Sequence, residues 1–116
     1  MDRVKPITIR DNEKGVEYTL QFNRESVQFT NLQGFRLSDL TDNPEGMLPI
    51  LFYGAFRMHH KNISRQKTDD MLWNEIAPVP QDFVIRLIDL YCEPRNVLIG
   101  DETTEESKNS KMTVEL

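Results

Sequence analysis

Apolar and polar positions alternate at two different periods along this chain, and the change of period divides it into a hairpin and a set of helices. Val16, Tyr18, Leu20 and Phe22 alternate with Glu17, Thr19 and Gln21. That period of two places all four apolar side chains on one face of a strand. Ile7 and Ile9 alternate in the same way with Thr8 and Arg10, so strands are predicted over Val4–Asp11 and Val16–Phe22. Asn12-Glu13-Lys14-Gly15 is the turn between them, with Gly15 at a positive φ. A lone hairpin is marginal in water, so its apolar face must rest on helices.

From Asn23 onward the period lengthens. Asn23 is placed to cap a helix over Arg24–Gln33, with Phe22 and Val27 spaced as a hydrophobic staple. Gly34 stops that helix, and Phe35 is expected to fold back on Phe29. After a connector, Asn43 and Pro44 open a second helix, with Pro49 close to its start. Leu48, Leu51, Phe52, Ala55 and Phe56 form its i, i+3, i+4, i+7, i+8 stripe, and Met47, Ile50 and Tyr53 add a second apolar line. A helix apolar on nearly two sides is either the centre of the domain or has one side against another subunit. It is expected to run to about His60.

Ser64 caps a third helix that carries Thr68, Met71, Leu72, Glu75 and Ile76 on one face, with Trp73 flanking it. Ala77-Pro78-Val79-Pro80 is a stiff break. A fourth helix spans Gln81–Glu93, and Pro94 is expected to bend or end it. Val97-Leu98-Ile99 form one more apolar patch. The fold class predicted is α+β: an N-terminal β-hairpin packed on a mainly helical bundle of about four helices. The domain covers residues 1–100, followed by a disordered acidic C-terminal tail over 101–116.

Charge sharpens that boundary. Asp101–Leu116 holds five acids against Lys108 and Lys111, three of the chain's five net negative charges. Asp101–Ser110 is rich in Thr and Ser and lacks aromatics, a composition of disorder, while Met112–Leu116 alternates as a strand would. The body is close to neutral, which disfavours nucleic-acid binding through bulk charge. One cysteine, Cys92, excludes an internal disulfide and favours a reducing compartment. No apolar run approaches the ~20 residues that cross a bilayer.

Candidate chemistry is sparse. There is no GxGxxG, Walker loop or GxSxG elbow, and the chain reads as a non-enzyme without metal or cofactor. His59 and His60 are adjacent, about 100° apart on a helix, where metal pairs want i, i+3 or i+4. Asp69 and Asp70 are sequence neighbours, not a facing pair of carboxylates. Between Glu45 and Asp69 the charges are all basic: Arg57, Lys61, Arg65 and Lys67. That stretch reads either as a solvated elbow or as a contact for an acidic protein segment. Trp73 and Tyr53 are either core rings or interface anchors. The protein-binding candidates are therefore Met47, Ile50, Tyr53, Arg57, Lys61, Arg65 and Trp73.

The order of these pieces carries a resemblance. The hairpin Pro6-Ile7-Thr8-Ile9 to Tyr18-Thr19-Leu20-Gln21-Phe22 runs into Asn23-Arg24-Glu25-Ser26-Val27. The helix Leu51–Lys61 follows, then the Ser64-capped helix, and finally Lys108–Leu116. The whole resembles small siphophage and prophage proteins of Gram-positive bacteria identified as tail assembly chaperones or as uncharacterised phage proteins. The resemblance implies a small, self-associating, mostly helical protein in the cytoplasm of the bacterial host. It would bind the tape measure protein, help recruit tail tube subunits, and carry no catalytic residue. A structural tail or head-tail joining component of the virion, and a small nucleic-acid-binding regulator working through Arg57–Lys67, are the alternatives.

Overall fold

The structure, a computed structural model, describes residues 4–99. The proposed tail over 101–116 lies outside them. The elements follow the predicted order. Strands β1 (Ile7–Asp11) and β2 (Val16–Leu20) pair antiparallel with Ile7 opposite Leu20 and Ile9 opposite Tyr18. The turn reverses at Gly15, φ 68°. Ile7, Tyr18, Leu20 and Phe22 are buried, so one face of the hairpin closes on the helices. Val16 departs from that pattern: it sits at the turn end of β2, beyond the reach of the bundle, and is exposed.

Helix α1 (Arg24–Leu32) begins with a reciprocal cap. Asn23 Oδ1 accepts from the Ser26 amide at 2.8 Å, and Ser26 Oγ accepts from the Asn23 amide at 2.8 Å. Two amides with no helical partner are thereby satisfied. Asn23→Ala should lower stability by about 1 kcal/mol, seen as a lower urea midpoint with an unchanged slope. At the other end the Gly34 amide bonds Asn31 O at 3.0 Å, and the Phe35 amide bonds Thr30 O at 3.3 Å. This doubly bonded helix end needs the left-handed backbone of Gly34, φ 103°. Phe35 and Phe29 do not turn to each other: Phe35 packs edge-on against Tyr91, and Phe29 against Tyr53.

Helix α2 (Pro44–Phe56) is the centre of the molecule, packed by α1, by β2 and by the two later helices. Leu51, Phe52, Ala55 and Phe56 are fully enclosed, and Ile50 on the second apolar line is buried too. Burial within this one chain accounts for the all-round apolar character. Pro49 is the sixth residue of the helix, so the carbonyl it leaves unpaired belongs to exposed Glu45, where water can reach it. The helix ends at Phe56 rather than His60, because the chain then turns to bring His60 back against β2.

Helix α3 (Arg65–Asp70) starts at Ser64, whose Oγ accepts from the Lys67 amide at 3.1 Å. It widens into a π-helical turn over Met71–Ile76, closed by an Ala77 amide bond to Leu72 O at 2.9 Å. The Ala77–Pro78 peptide is cis. Helix α4 spans Gln81–Leu98 and passes through Pro94. The helix does not stop there: a tertiary contact holds the residue before Pro94, and the helical bonding resumes after it. Glu93 Oε2 accepts from the Val4 amide at 2.7 Å, Pro94 is half-buried, and the Ile99 amide bonds Arg95 O at 2.8 Å.

Candidate interaction surfaces

Continuing α4 beyond Pro94 has a spatial result. Its last turns stand beside the corner where β2 gives way to α1, and a groove of about 670 Å³ lies between them. Phe22, Val27 and Met58 form one apolar wall and Pro94, Val97 and Leu98 the other. Arg24, Gln28, Glu93 and Arg95 stand along the polar rim. Residues 94, 97 and 98 share a helix face by their i, i+3, i+4 spacing, continuing the row set by buried Leu90 and half-buried Tyr91. The same helix therefore begins as core and ends as groove wall. Val97 is 74% exposed and Leu98 83%. On α1, Leu32 is 84% exposed and lies one turn beyond Gln28 on the same row.

A second, smaller hollow opens where α2 meets the π-helical turn. Pro44, Leu48, Pro49, Leu72, Ala77 and Val79 line it, and Trp73 stands at its side, 55% exposed. The widened turn leaves this ring outside while Met71 and Leu72 go in. Trp73 is thus a surface ring rather than a core one.

The other predicted surface residues are drawn into the fold to different degrees. Ile50 is buried, and Met47 and Tyr53 are half-buried, so these three form no free apolar face. Tyr53 packs on Phe29. The Arg57 guanidinium lies 4.4 Å from the Phe29 ring centroid, and its Nε is buried without a hydrogen-bond partner among the described residues. Arg65 Nε donates to Asp69 at 3.0 Å, and Lys61 Nζ stands 3.9 Å from Glu25 of α1. The basic elbow is therefore partly occupied by contacts within the chain, and the acid facing Lys61 comes from a distant element that spacing could not reveal.

His60, Tyr91 and Cys92 are titratable groups that their surroundings shift. His60 Nε2 accepts the Thr19 amide at 2.9 Å, which requires a neutral ring. Burial, and then the neighbouring His59, hold His60 below its ordinary value of 6.5. The unfolded chain then binds a proton at a pH where the folded chain does not. Stability contributed by this contact is complete above about 6.5 and is lost as the pH falls through the lowered value. Urea midpoints should drop between neutral and mildly acidic pH. His60→Gln, which keeps an acceptor that does not titrate, should flatten that dependence. Burial pushes the Cys92 thiol and the Tyr91 hydroxyl up. A raised thiol is a poorer nucleophile at neutral pH, and Cys92 is half-buried on α4. Tyr91 also hydrogen-bonds Asn31 Oδ1 and so ties α4 to α1.

Among the described residues no three His, Cys, Asp or Glu side chains gather as metal ligands. No helix of the described residues is long and apolar enough to cross a membrane. What the surface does offer is apolar and concave. The profile of the domain of unknown function DUF5055 matches residues 2–116, nearly the whole chain. The protein belongs to the DUF5055 family. No curated protein and no solved structure matches it. The groove between the start of α1 and the end of α4 is accordingly a feature of a DUF5055 protein read from its own geometry. Val97-Leu98-Ile99 is an apolar patch in the sequence, but only the fold sets Phe22, Val27 and Met58 opposite Val97 and Leu98.

Proposed function

We propose that this DUF5055 protein is a tail assembly chaperone of a siphophage or prophage. In this reading it binds the tape measure protein and tail tube subunits, associates with itself during assembly, and works in the cytoplasm of the bacterial host. The observation that carries the reading is the open groove with apolar walls, together with uncovered Leu32, Val97 and Leu98. A tape measure protein is a long helical client whose apolar faces lack partners until the tail is built. An amphipathic helix laid into an apolar groove is the recognition mode such a client calls for. Val97 and Leu98 lie on the helix segment beyond Pro94, and Met58 in the facing wall is an adaptable, unbranched contact.

Co-expression with the tape measure protein of the same genome tests the proposal. The client should become more soluble and co-purify with the chaperone, and Leu98→Glu should abolish both effects while leaving the far-ultraviolet circular dichroism unchanged. Failure of the unaltered protein to co-purify would overturn the reading. Its recovery from purified particles would make it a structural component instead.

A further inference from the structure

The hairpin has two edges, and contacts with the helical part of the chain take up the edge along β2. The Thr19 amide bonds His60 Nε2 at 2.9 Å, and just past β2 the Gln21 amide bonds Ala55 O at 3.0 Å. These bonds also fix the direction of the amides in β1. Thr19 gives its amide to His60, so Thr8 and Thr19 face each other as a non-hydrogen-bonded pair, and the two kinds of pair alternate along an antiparallel ladder. Ile7–Leu20, Ile9–Tyr18 and Asp11–Val16 are then the bonded pairs, and the amides and carbonyls of Thr8 and Arg10 point away from β2. Among the described residues no strand lies on that side and no group bonds the two outward amides. We infer that β1 pairs antiparallel with β1 of a second copy about a two-fold axis at Ile9, joining the two hairpins into one sheet.

An edge with open main-chain groups is a template for another strand, and three properties of this edge match it to its own copy. The first is register. With Ile9 opposite Ile9, every residue of Ile7–Asp11 has a partner: Ile7 faces Asp11 and Thr8 faces Arg10 of the other copy. The outward amides of Thr8 and Arg10 then all donate across the seam, and their carbonyls all accept. Moving the axis to Thr8 would draw in Pro6, which has no amide to give. The second is charge. Moving the axis to Arg10 would set two arginines directly opposite, which is destabilising. In the Ile9 register Arg10 stands instead between its own ion-pair partner Glu17 and Thr8 of the second copy, so no like charges face each other. The third is burial. Ile9 is only half-buried, although it faces Tyr18. At the axis it meets its own copy in a non-hydrogen-bonded pair, the closer of the two kinds, about 4.5 Å between Cα atoms.

This pairing rests on the self-association in the chaperone reading and gives it a surface. Sedimentation equilibrium of the full chain should show the mass rising from one chain towards two between micromolar and millimolar concentrations. Over the same range, hydrogen exchange at the Thr8 and Arg10 amides should slow. Thr8→Pro removes one outward donor at an exposed edge position, where proline is tolerated. It should leave the circular dichroism unchanged and hold the chain monomeric, while Thr8→Ser, which keeps the amide, should pair as the parent does. If Thr8→Pro fails to fold, exchange in the unaltered chain decides alone. A chain that stays monomeric would overturn the inference, as would a dimer whose Thr8 and Arg10 amides exchange freely. So would protection at those amides that ignores concentration, which would assign the edge to another part of the same chain. No client is in the sample, so a monomer would overturn this pairing and leave client binding to be judged separately by co-purification.

Discussion

Phe56→Ala should lower the unfolding free energy by about 3–5 kcal/mol. The ring is fully enclosed at the end of α2. It packs edge-on against Tyr18 of β2 at 5.5 Å and against Phe52 at 5.0 Å, with the His60 ring at 6.0 Å. Its loss leaves a cavity at the point where hairpin, central helix and the His60 turn meet. Rings fixed on three sides by separate elements cannot collapse into that space cheaply, so the cost belongs at the upper end of the range. Total stability for a domain of this size is about 5–15 kcal/mol, so the variant should be close to unfolded at physiological temperature. Phe56→Leu should cost far less, because it keeps most of the buried volume. Urea denaturation of the two variants decides the matter. A Phe56→Ala protein within about 1 kcal/mol of the parent would be incompatible with this packing.

Gly54→Ala should be the next most damaging small change, although alanine is the better helix former. Alanine gains roughly 1 kcal/mol over glycine in a helix interior. Here its Cβ would stand 1.8 Å from Thr30 Oγ1 and 2.8 Å from Thr30 Cβ. Thr30 is fully buried, its hydroxyl bonds Ser26 O at 2.7 Å, and its branched side chain has few rotamers to escape into. Helices α1 and α2 must therefore move apart, and the net loss should be about 2 kcal/mol. Thr30→Ala in the same chain should recover part of that loss. A double-mutant cycle in urea should accordingly show a coupling of about 1 kcal/mol or more. Strict additivity would mean that the two helices do not meet at this pair.

Local chemistry was legible wherever a side chain acts on its own backbone. Asn23, Asn43 and Ser64 all cap the helices they precede, and Gly34 terminates α1 with a positive φ. The strand period identified Tyr18, Leu20 and Phe22 as the inward row, while Val16 failed because the row outruns the helices beneath it. The apolar second line of α2 was legible as unusual, but two sides of a helix can be covered by the same chain or by another. Only the assembled packing decides that Ile50 is interior. Pro94 shows the converse. A proline cost of about 3 kcal/mol is a local quantity, whereas the Val4 amide that Glu93 holds and the Asn31 side chain that Tyr91 bonds lie far away in sequence. The groove is of the same kind, since its facing walls lie between 36 (Met58 to Pro94) and 76 (Phe22 to Leu98) residues apart in a chain whose spacing rules extend over a few turns.

The clasp between Val4 and Glu93 has a consequence for biosynthesis. The Val4 amide is held by a carboxylate 89 positions later, and Arg86 donates to the Lys5 carbonyl across 81. Closing a loop of that length costs about 4 kcal/mol of chain entropy before any contact repays it. The hairpin, made first, has α2 to pack on, but the segment before β1 is not held, and Leu87 and Leu90 do not close the core, until α4 has been made. Nascent chains arrested before Glu93 should therefore remain protease-sensitive on the ribosome, and protection should appear in a single step once α4 emerges rather than growing element by element.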